Sequence, residues 1–336
     1  MRRKEFFYPS SDGIHQIHGI LWFPSGTWRQ FPKGIVQIAH GMVEYVGRYE
    51  GLARYLNTLG YFVLGNDHLG HGESVTSRED WGYFAAQDSE ACVVKDMHRL
   101  TGMMKKRYPC IPYFLLGHSM GSFLSRQYME VYGHELDGVI LLGTGEHPAF
   151  LLRMGLVLTA LLKMCRGERH RSRLLRRVMF GSYNRRIKNP RSANDWVCSD
   201  EKVMEAYHND PACTFLFTVN GVETLMKILL FIGNRNNIEH VPKDIPILMA
   251  SGREDPVGNY GKAVEKVYHR YQDAGIADIT LKLFDNCRHE LHNEINREKV
   301  YEMIGSWLES RSVCRCPADQ LVSGGNREKE EQNYVV

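Results

Sequence analysis

The fold is decided by the stretch Tyr113-Phe-Leu-Leu-Gly117-His-Ser119-Met-Gly121-Ser122 of this 336-residue chain. Its first four residues are apolar and predict a buried strand, and the pattern from Phe123 to Tyr132 predicts a helix. Between these two elements stands G-x-S-x-G, a pattern that places its serine on a sharp strand-to-helix turn. There the hydroxyl is raised above the sheet, next to the positive end of the helix. Ser119 is therefore the candidate nucleophile.

Strand and helix patterns alternate on both sides of this stretch. After a predicted hairpin, the apolar runs are continuous rather than alternating, which is typical of parallel strands covered on both faces. The predicted strands are the hairpin from Glu5 to Phe23, then Gly34–His40, Tyr61–Asp67, Tyr113–Leu116, Gly138–Leu142, Pro246–Ala250 and Ile279–Phe284. Together with G-x-S-x-G, this order predicts an α/β-hydrolase fold: a mostly parallel eight-stranded sheet with helices on both faces.

The alternation stops between residues 144 and 235, where the pattern is helical and contains no buried strand. Because it resumes afterwards, we expect a helical cap insertion at 144–235 within a core formed by 1–143 and 236–311. The segment 312–336 is polar and is predicted to be a disordered tail.

A serine hydroxyl is a poor nucleophile unless a base accepts its proton, and a third group must orient that base. In this fold the chain order is serine, acid, histidine. Asp255 follows the predicted strand ending at Ala250, and His289 follows the last predicted strand, so these residues complete the candidate triad. The chain offers three competitors, which are Glu254, Asp285 and His292.

Two backbone N–H groups are needed to stabilise the oxyanion of acyl transfer. The first is expected from Met120, the residue after the nucleophile. The second is expected from the loop after the strand Gly34–His40, where we assign it to Met42.

The bulk composition excludes some classes of protein. Lys and Arg number 42 and Asp and Glu 39, so the net charge of +3 argues against general nucleic-acid binding. The eight cysteines are scattered, which favours reduced thiols and a cytoplasmic protein. No apolar stretch of signal-peptide type follows the N-terminal Met-Arg-Arg-Lys. The most apolar run, Met154–Leu162, is far shorter than the about 20 residues of a membrane span.

Charge is concentrated in one part of the predicted cap. Residues 163–191 contain eleven Lys and Arg and a single acidic residue, Glu168. This run is either a solvated face or, with the apolar helix predicted from Ala149 to Met164, a surface that contacts an anionic membrane peripherally. A later apolar stretch, 214–232, either packs on the core or lines a pocket for an acyl chain.

No metal or cofactor is predicted. His289-Glu290 is not a zinc motif, because position 293 is Asn where a second histidine would stand. His68 and His71 flank glycines in a turn, and we interpret them as structural.

Several motifs resemble the monoacylglycerol lipase and lysophospholipase family, also called serine aminopeptidase-like. They are His40-Gly-Met-Val-Glu44 with Arg48-Tyr49, Asn66-Asp-His-Leu-Gly-His-Gly-Glu-Ser74, Gly117–Gly121, Ser251-Gly-x-x-Asp255-Pro256 and Arg288-His-Glu290. The resemblance covers about residues 15–311. It implies hydrolysis of a lipophilic ester without a cofactor, and a helical cap between the sixth and seventh strands.

The same resemblance supports Ser119, Asp255, His289, Met42 and Met120 position by position. Departures from it are Arg253-Glu254 and Cys287. Enzymes of this fold that use an aspartate nucleophile, the haloalkane dehalogenases and epoxide hydrolases, are disfavoured because position 119 is serine.

We therefore expect a serine carboxylester hydrolase that cleaves monoacylglycerol or lysophospholipid through an acyl-serine intermediate. A short-chain carboxylesterase or an acyltransferase would use the same triad with a different ester or a different attacking group. The alternative of another class is a non-catalytic scaffold that binds a membrane or a protein.

Overall fold

The computed structural model describes residues 1–25 and 32–312, and it contains an eight-stranded sheet. The predicted tail, apart from Ser312, lies outside the described residues. The strands are β1 (Arg2–Pro9), β2 (Gln16–Phe23), β3 (Ile35–Ala39), β4 (Phe62–Asn66), β5 (Tyr113–His118), β6 (Gly138–Leu142), β7 (Ile247–Gly252) and β8 (Ile279–Phe284).

The strand order across the sheet is β1-β2-β4-β3-β5-β6-β7-β8. β1 and β2 pair antiparallel, as do β2 and β4, whereas all pairs from β4 to β8 are parallel. The carboxyl ends of these parallel strands therefore lie at one edge, where ligands bind in open α/β sheets. The predicted fold class, an α/β-hydrolase with a mostly parallel eight-stranded sheet, is confirmed.

Ten helices accompany the sheet in the described part of the chain. They are α1 (Glu50–Thr58), α2 (Ser89–Arg107), α3 (Met120–Tyr132), α4 (Ala149–Arg166), α5 (Arg173–Phe180), α6 (Glu201–Asn209), α7 (Val219–Ile232), α8 (Arg235–Ile238), α9 (Lys262–Asp273) and α10 (Arg297–Glu309).

The two faces of the sheet carry separate hydrophobic cores. α1 and α10 pack on one face, where Val36 and Ile38 of β3 are buried. α2, α3, α7 and α9 contribute to the other core, which contains the alternate β3 residues Ile35 and Ala39. Because successive side chains of a strand point to opposite faces, a continuous apolar run such as β3 supplies both cores.

Two local differences from the predicted elements have physical reasons. α3 begins at Met120 rather than Phe123, because the turn at Ser119 joins β5 to the helix without any linker. Among the described residues, β8 is an edge strand that pairs only with β7, and its burial alternates along the strand instead of being continuous.

The helices α4 to α8 lie between β6 and β7, so the segment 144–235 adds no strand to the sheet. The expected boundary at residue 235 coincides with the first residue of α8. α4 packs on α7, and α7 packs on α3 of the core. A helix with the length and apolar character needed to cross a bilayer is not found within 1–25 and 32–312.

Candidate active site

Ser119 occupies a strained turn between β5 and α3. Its φ is +52° and its ψ is −120°, a backbone conformation that L-residues rarely adopt and that costs on the order of 1–3 kcal/mol. The Ser119 amide donates to the carbonyl of Leu142 at the end of β6, at 2.9 Å. The serine is thus fixed at the carboxyl edge of the sheet and at the N-terminus of α3.

The two glycines of G-x-S-x-G are required by close packing. A Cβ at Gly121 would overlap the backbone carbonyls of Ala39 and His40, where β3 ends. A Cβ at Gly117 would overlap the carbonyl of Gly121 and the Ser125 hydroxyl. α3 can therefore start directly against β3 only if both positions lack side chains.

His289 and Asp255 form a buried pair after β8 and β7. Nδ1 of His289 lies 2.9 Å from Oδ2 of Asp255, and both side chains are almost fully buried. Asp255 also accepts the Ser251 hydroxyl at 3.0 Å and the Val257 amide at 2.8 Å. An ionised carboxylate can only accept, so the histidine Nδ1 carries the proton and donates it to this bond.

With the Nδ1 proton in this bond, Nε2 is the ring nitrogen that can offer a lone pair. Nε2 is buried and makes no hydrogen bond within the described residues, and His289 and Ser119 line the same cavity. A histidine held in this tautomer can accept a proton from a neighbouring hydroxyl.

The three competing residues lie elsewhere. Glu254 is 53% exposed, and its Oε2 lies 4.0 Å from Nε of Arg288. Asp285 is 79% exposed and forms an ion pair with Arg253 at 2.8 Å. The His292 ring is buried and stacks on Tyr49 at 4.3 Å. Of the candidates, the structure brings only His289 and Asp255 together.

The turn that contains Met42 lies beside Ser119. Gly41 approaches so closely that an added Cβ would be 3.1 Å from the Ser119 Cβ. The Gly41 amide donates to Oε1 of Glu44, and Val43 has a φ of +57°. Among the turn and loop hydrogen bonds of the described chain, no backbone carbonyl accepts from the amide of Met42 or Met120, and both residues line the cavity with Ser119. Such amides can stabilise a negative oxygen formed next to the serine.

Beneath this turn lies a buried charged network that the sequence reasoning did not identify. Arg48 donates to Oε2 of Glu44 at 3.1 Å and contacts both carboxylate oxygens of Glu290, at 2.5 and 2.8 Å. His118 lies with Nδ1 3.0 Å from Glu44 and with Nε2 3.3 Å from the carbonyl of His289. The network therefore connects the Met42 turn, the Ser119 turn and the His289 loop.

Electrostatics keep this network ionised. Burial by itself raises the pKa of Glu44, but the hydrogen bond from His118 and the charge of Arg48 hold that pKa well below its usual value. Burial lowers the pKa of His118, and the hydrogen bond to Glu44 overcomes this and raises it. Glu44, Arg48 and Glu290 all belong to the motifs quoted above. The motifs thus contained these residues, although no role was predicted for them from the sequence alone.

One group of side chains in the described chain has the spacing of metal ligands: Glu44, His118 and His292. Its carboxylate is already occupied, because Glu44 accepts hydrogen bonds from Gly41, Tyr49 and Arg48 as well as His118. The adjacent guanidinium also disfavours a cation. We therefore interpret the group as part of the charged network.

His68 and His71 are buried in the turn after β4. The His68 amide donates to Nε2 of His40 at 2.8 Å. Burial and the nearby His40 lower the pKa of His71 to about 3, so its ring is neutral. These contacts fit the structural interpretation of the two histidines.

Residues 195–198 of the segment between β6 and β7 hold the His289 loop from above. Nη1 of Arg288 donates to the carbonyls of Asp195 and Cys198, at 2.7 and 3.0 Å. The Glu290 amide donates to the carbonyl of Val197 at 2.8 Å, and the Trp196 ring lies 5.1 Å from that of His289. This segment thus shields the histidine from water.

Ser119 and His289 open into a cavity of about 920 Å³. Its wall is mainly apolar and is contributed largely by α4, α5, α7 and residues 214–217. Ile228 and Ile232 on another face of α7 are buried outside the cavity. The sequence left open whether the apolar stretch 214–232 packs on the core or lines a pocket. It does both, because one face lines the cavity and another packs in the core.

Known proteins resemble most of the chain. Residues 30–296 match the family described as serine aminopeptidase, S33. The chain is 28% identical to the monoglyceride lipase of Homo sapiens over 299 residues, which cover 87% of this chain and 86% of that protein. It is 26% identical to the monoacylglycerol lipase of Mycolicibacterium smegmatis over 316 residues, covering 92% and 98%.

Among solved structures, a highly thermostable carboxyl esterase from Bacillus coagulans in complex with glycerol superposes with a TM-score of 0.85. Its sequence is 29% identical, and the match covers 93% of this chain and all of that chain. The family match extends over well more than half of the residues and includes the strained serine turn and the parallel strands. This chain is a hydrolase, a member of the serine aminopeptidase S33 family of α/β-hydrolases.

Proposed function

We propose that this protein hydrolyses carboxylic esters of single-chain lipids, monoacylglycerols or lysophospholipids, with Ser119 as nucleophile. The observation that carries the proposal is that a serine in a strained turn shares one large apolar cavity with a histidine held by a buried aspartate. The printed names of the relatives, monoglyceride lipase and carboxyl esterase, support the same class of substrate.

The reaction has two halves. Oγ of Ser119 attacks the ester carbonyl carbon while Nε2 of His289 accepts the hydroxyl proton, and the carbonyl oxygen becomes an oxyanion held by the Met42 and Met120 amides. When the tetrahedral intermediate collapses, the ester C–O bond breaks and His289 returns the proton to the leaving alcohol. Water then attacks the acyl-serine by the same route, releasing the fatty acid and regenerating the serine.

The apolar wall of the cavity supports the proposal of a lipid substrate rather than a small ester. The walls are formed mainly by leucine, methionine, valine and phenylalanine side chains, against which an alkyl chain is more favourable than water. Burying each CH₂ group of a substrate contributes about 0.8 kcal/mol, so a long chain gains affinity that a short acyl group cannot.

A panel of esters tests the substrate class. Wild type and Ser119→Ala would be compared on monoacylglycerol, lysophosphatidylcholine, and acetyl and butyryl esters, with fatty-acid release as the readout. We expect wild type to prefer long-chain substrates and Ser119→Ala to be inactive. A preference for acetyl or butyryl esters would instead identify a short-chain carboxylesterase. Transfer of the acyl group to an added alcohol in place of hydrolysis would identify an acyltransferase.

We also propose that α4 and α5 contact an anionic membrane surface beside the cavity. Large apolar side chains of α4 point into solvent, with Phe150 68% and Met164 78% exposed, and on α5 Leu174 and Val178 are exposed as well. Leu151, Met154 and Val178 are exposed and also line the cavity, so the apolar surface continues into it. An exposed apolar patch of this kind marks an interaction site.

Some charges of the basic run are ion-paired and others are not. Lys163, Arg169 and Arg191 are neutralised by Glu168, Asp80 and Glu201. Several others form no ion pair with any residue in 1–25 or 32–312, namely Arg166, Arg173, Arg177, Arg185 and Lys188. Basic residues next to an apolar patch suit a surface of anionic lipids, where each contributes about 1 kcal/mol. Docking there would deliver a lipid substrate directly to the cavity.

A further inference from the structure

The cavity is lined by two helices that pack on each other, α4 and α7. Their cavity residues are apolar, and Phe123 of α3 lies in the same wall. The cavity residues of the two helices are Leu151, Leu152, Met154, Gly155 and Leu158 of α4 and Val222, Leu225, Met226 and Leu229 of α7. This part of the cavity suits the hydrocarbon tail of a substrate.

Gly155 is unusual in this wall. It is the sole glycine of α4, and a glycine inside a helix is less favourable than alanine. Its φ is not positive, so the backbone does not require glycine. The close neighbour at this position is the end of the Met226 side chain, because a Cβ at position 155 would lie 2.5 Å from the Met226 Sδ and closer still to its methyl carbon. Because Gly155 has no side chain, the end of the Met226 side chain occupies the space next to it.

The Met226 side chain can be displaced from the space beside Gly155. It is unbranched and has three rotatable bonds, so its end moves readily when a neighbour changes. Since Gly155 and Met226 both line the cavity, a displaced thioether enters space that a substrate would otherwise fill.

We infer that the contact between Gly155 and Met226 sets the length of the acyl chain that the cavity accepts. The inference rests on the proposed lipid-ester hydrolase function. It assigns Met226 as a specificity-determining residue, with no part in the chemical step.

Three variants separate this role from a general packing effect. Gly155→Ala pushes the methionine end into the cavity and should shorten the preferred chain. Met226→Ala removes three heavy atoms and should lengthen it, by roughly two methylene groups. In the double variant the new alanine has no methionine to displace. Its profile should therefore match that of Met226→Ala, a non-additivity expected only of residues in contact.

The measurement is kcat/KM for monoacylglycerols from octanoyl to arachidoyl. At the chain length where the cavity ends, each methylene should change kcat/KM by about tenfold. Leu230→Ala is the matched control, because Leu230 lies on α7 but does not line the cavity. It should keep the wild-type profile.

Two failures can be told apart. If wild type hydrolyses none of the esters, the proposed function is wrong. If wild type is active but Gly155→Ala and Met226→Ala keep its chain-length profile, the assignment of Met226 is overturned.

Discussion

At the scale of single residues, the groups around Ser119 are each held by contacts that leave little freedom. The serine backbone is strained, and the strain is maintained because Gly121 packs on the end of β3 and the Ser119 amide is bonded to Leu142. The His289 ring is held by Asp255 on one side and lies against Trp196 on another. Pre-organisation of this kind means that little reorganisation is needed when a substrate reacts.

Replacing Asp255 tests the orientation of the histidine. In Asp255→Asn the amide can donate to Nδ1, so the ring adopts the other tautomer and loses its free lone pair at Nε2. Ester hydrolysis should fall roughly 10⁴-fold in kcat/KM. The exposed acid Asp285 provides a matched control, and Asp285→Asn should retain wild-type activity. Equal activity of the two variants would contradict the assigned role of Asp255.

At the scale of elements, α3 follows the Ser119 turn and also carries a buried acid, Glu130, that the proposed reaction does not use. Both carboxylate oxygens of Glu130 are buried and make no hydrogen bond within the described residues. Burial raises its pKa to about 8, although the charges of Arg126 and Arg270 act in the opposite direction. The helix therefore holds a proton at neutral pH.

This proton makes stability depend on pH. Because the pKa of Glu130 is raised on folding, from 4.5 to about 8, the folded state binds the extra proton across that window. The free energy of unfolding should therefore decrease as pH rises from 4.5 to 8. Glu130→Gln should remove this contribution and be more stable at pH 8.5, by on the order of a few kcal/mol.

Denaturant unfolding at several pH values measures the effect. Glu265→Gln, at an exposed position of α9, is the control and should leave the pH dependence unchanged. A Glu130→Gln variant whose unfolding free energy follows the wild-type pH curve would show that Glu130 is ionised in the folded protein.

At the scale of the whole molecule, the segment between β6 and β7 has three surfaces with different tasks. Residues 195–198 contact the His289 loop, α7 packs on the core, and α4 and α5 present apolar and basic side chains to solvent. The buried pairing of Arg48 with Glu44 and Glu290 lies below it, and breaking such a pair typically costs about 3–5 kcal/mol. The site is thus assembled from residues that precede the segment between β6 and β7, from that segment and from residues that follow it.

Vesicle sedimentation tests the outer surface. Binding to phosphatidylserine-containing vesicles should exceed binding to phosphatidylcholine vesicles and should weaken with salt. Changing Arg173 and Arg177 together to Gln should weaken it by about 2 kcal/mol, roughly 30-fold. Changing the ion-paired Arg169 and Arg191 to Gln is the matched control and should have a smaller effect. Binding that is indifferent to lipid charge and to salt would refute the proposed membrane contact.

The sequence was sufficient to predict an element where its bounds depend on the local residue pattern. β6 and β8 have the predicted bounds, because an apolar run ended by turn residues defines a strand locally. The early start of α3 was missed because a strained turn has no periodicity. The role of Arg48 was missed because Glu290, its partner, stands 242 residues away, and which distant charges become buried together depends on the packed fold.

The most direct test of the central claim is covalent labelling of Ser119. The protein would be treated with a fluorophosphonate probe and the modified peptide identified by mass spectrometry, with Ser119→Ala and Ser122→Ala as variants. We predict stoichiometric labelling on Ser119 in wild type and in Ser122→Ala, and none in Ser119→Ala. An unlabelled wild-type protein, or labelling that persists in Ser119→Ala, would contradict the account.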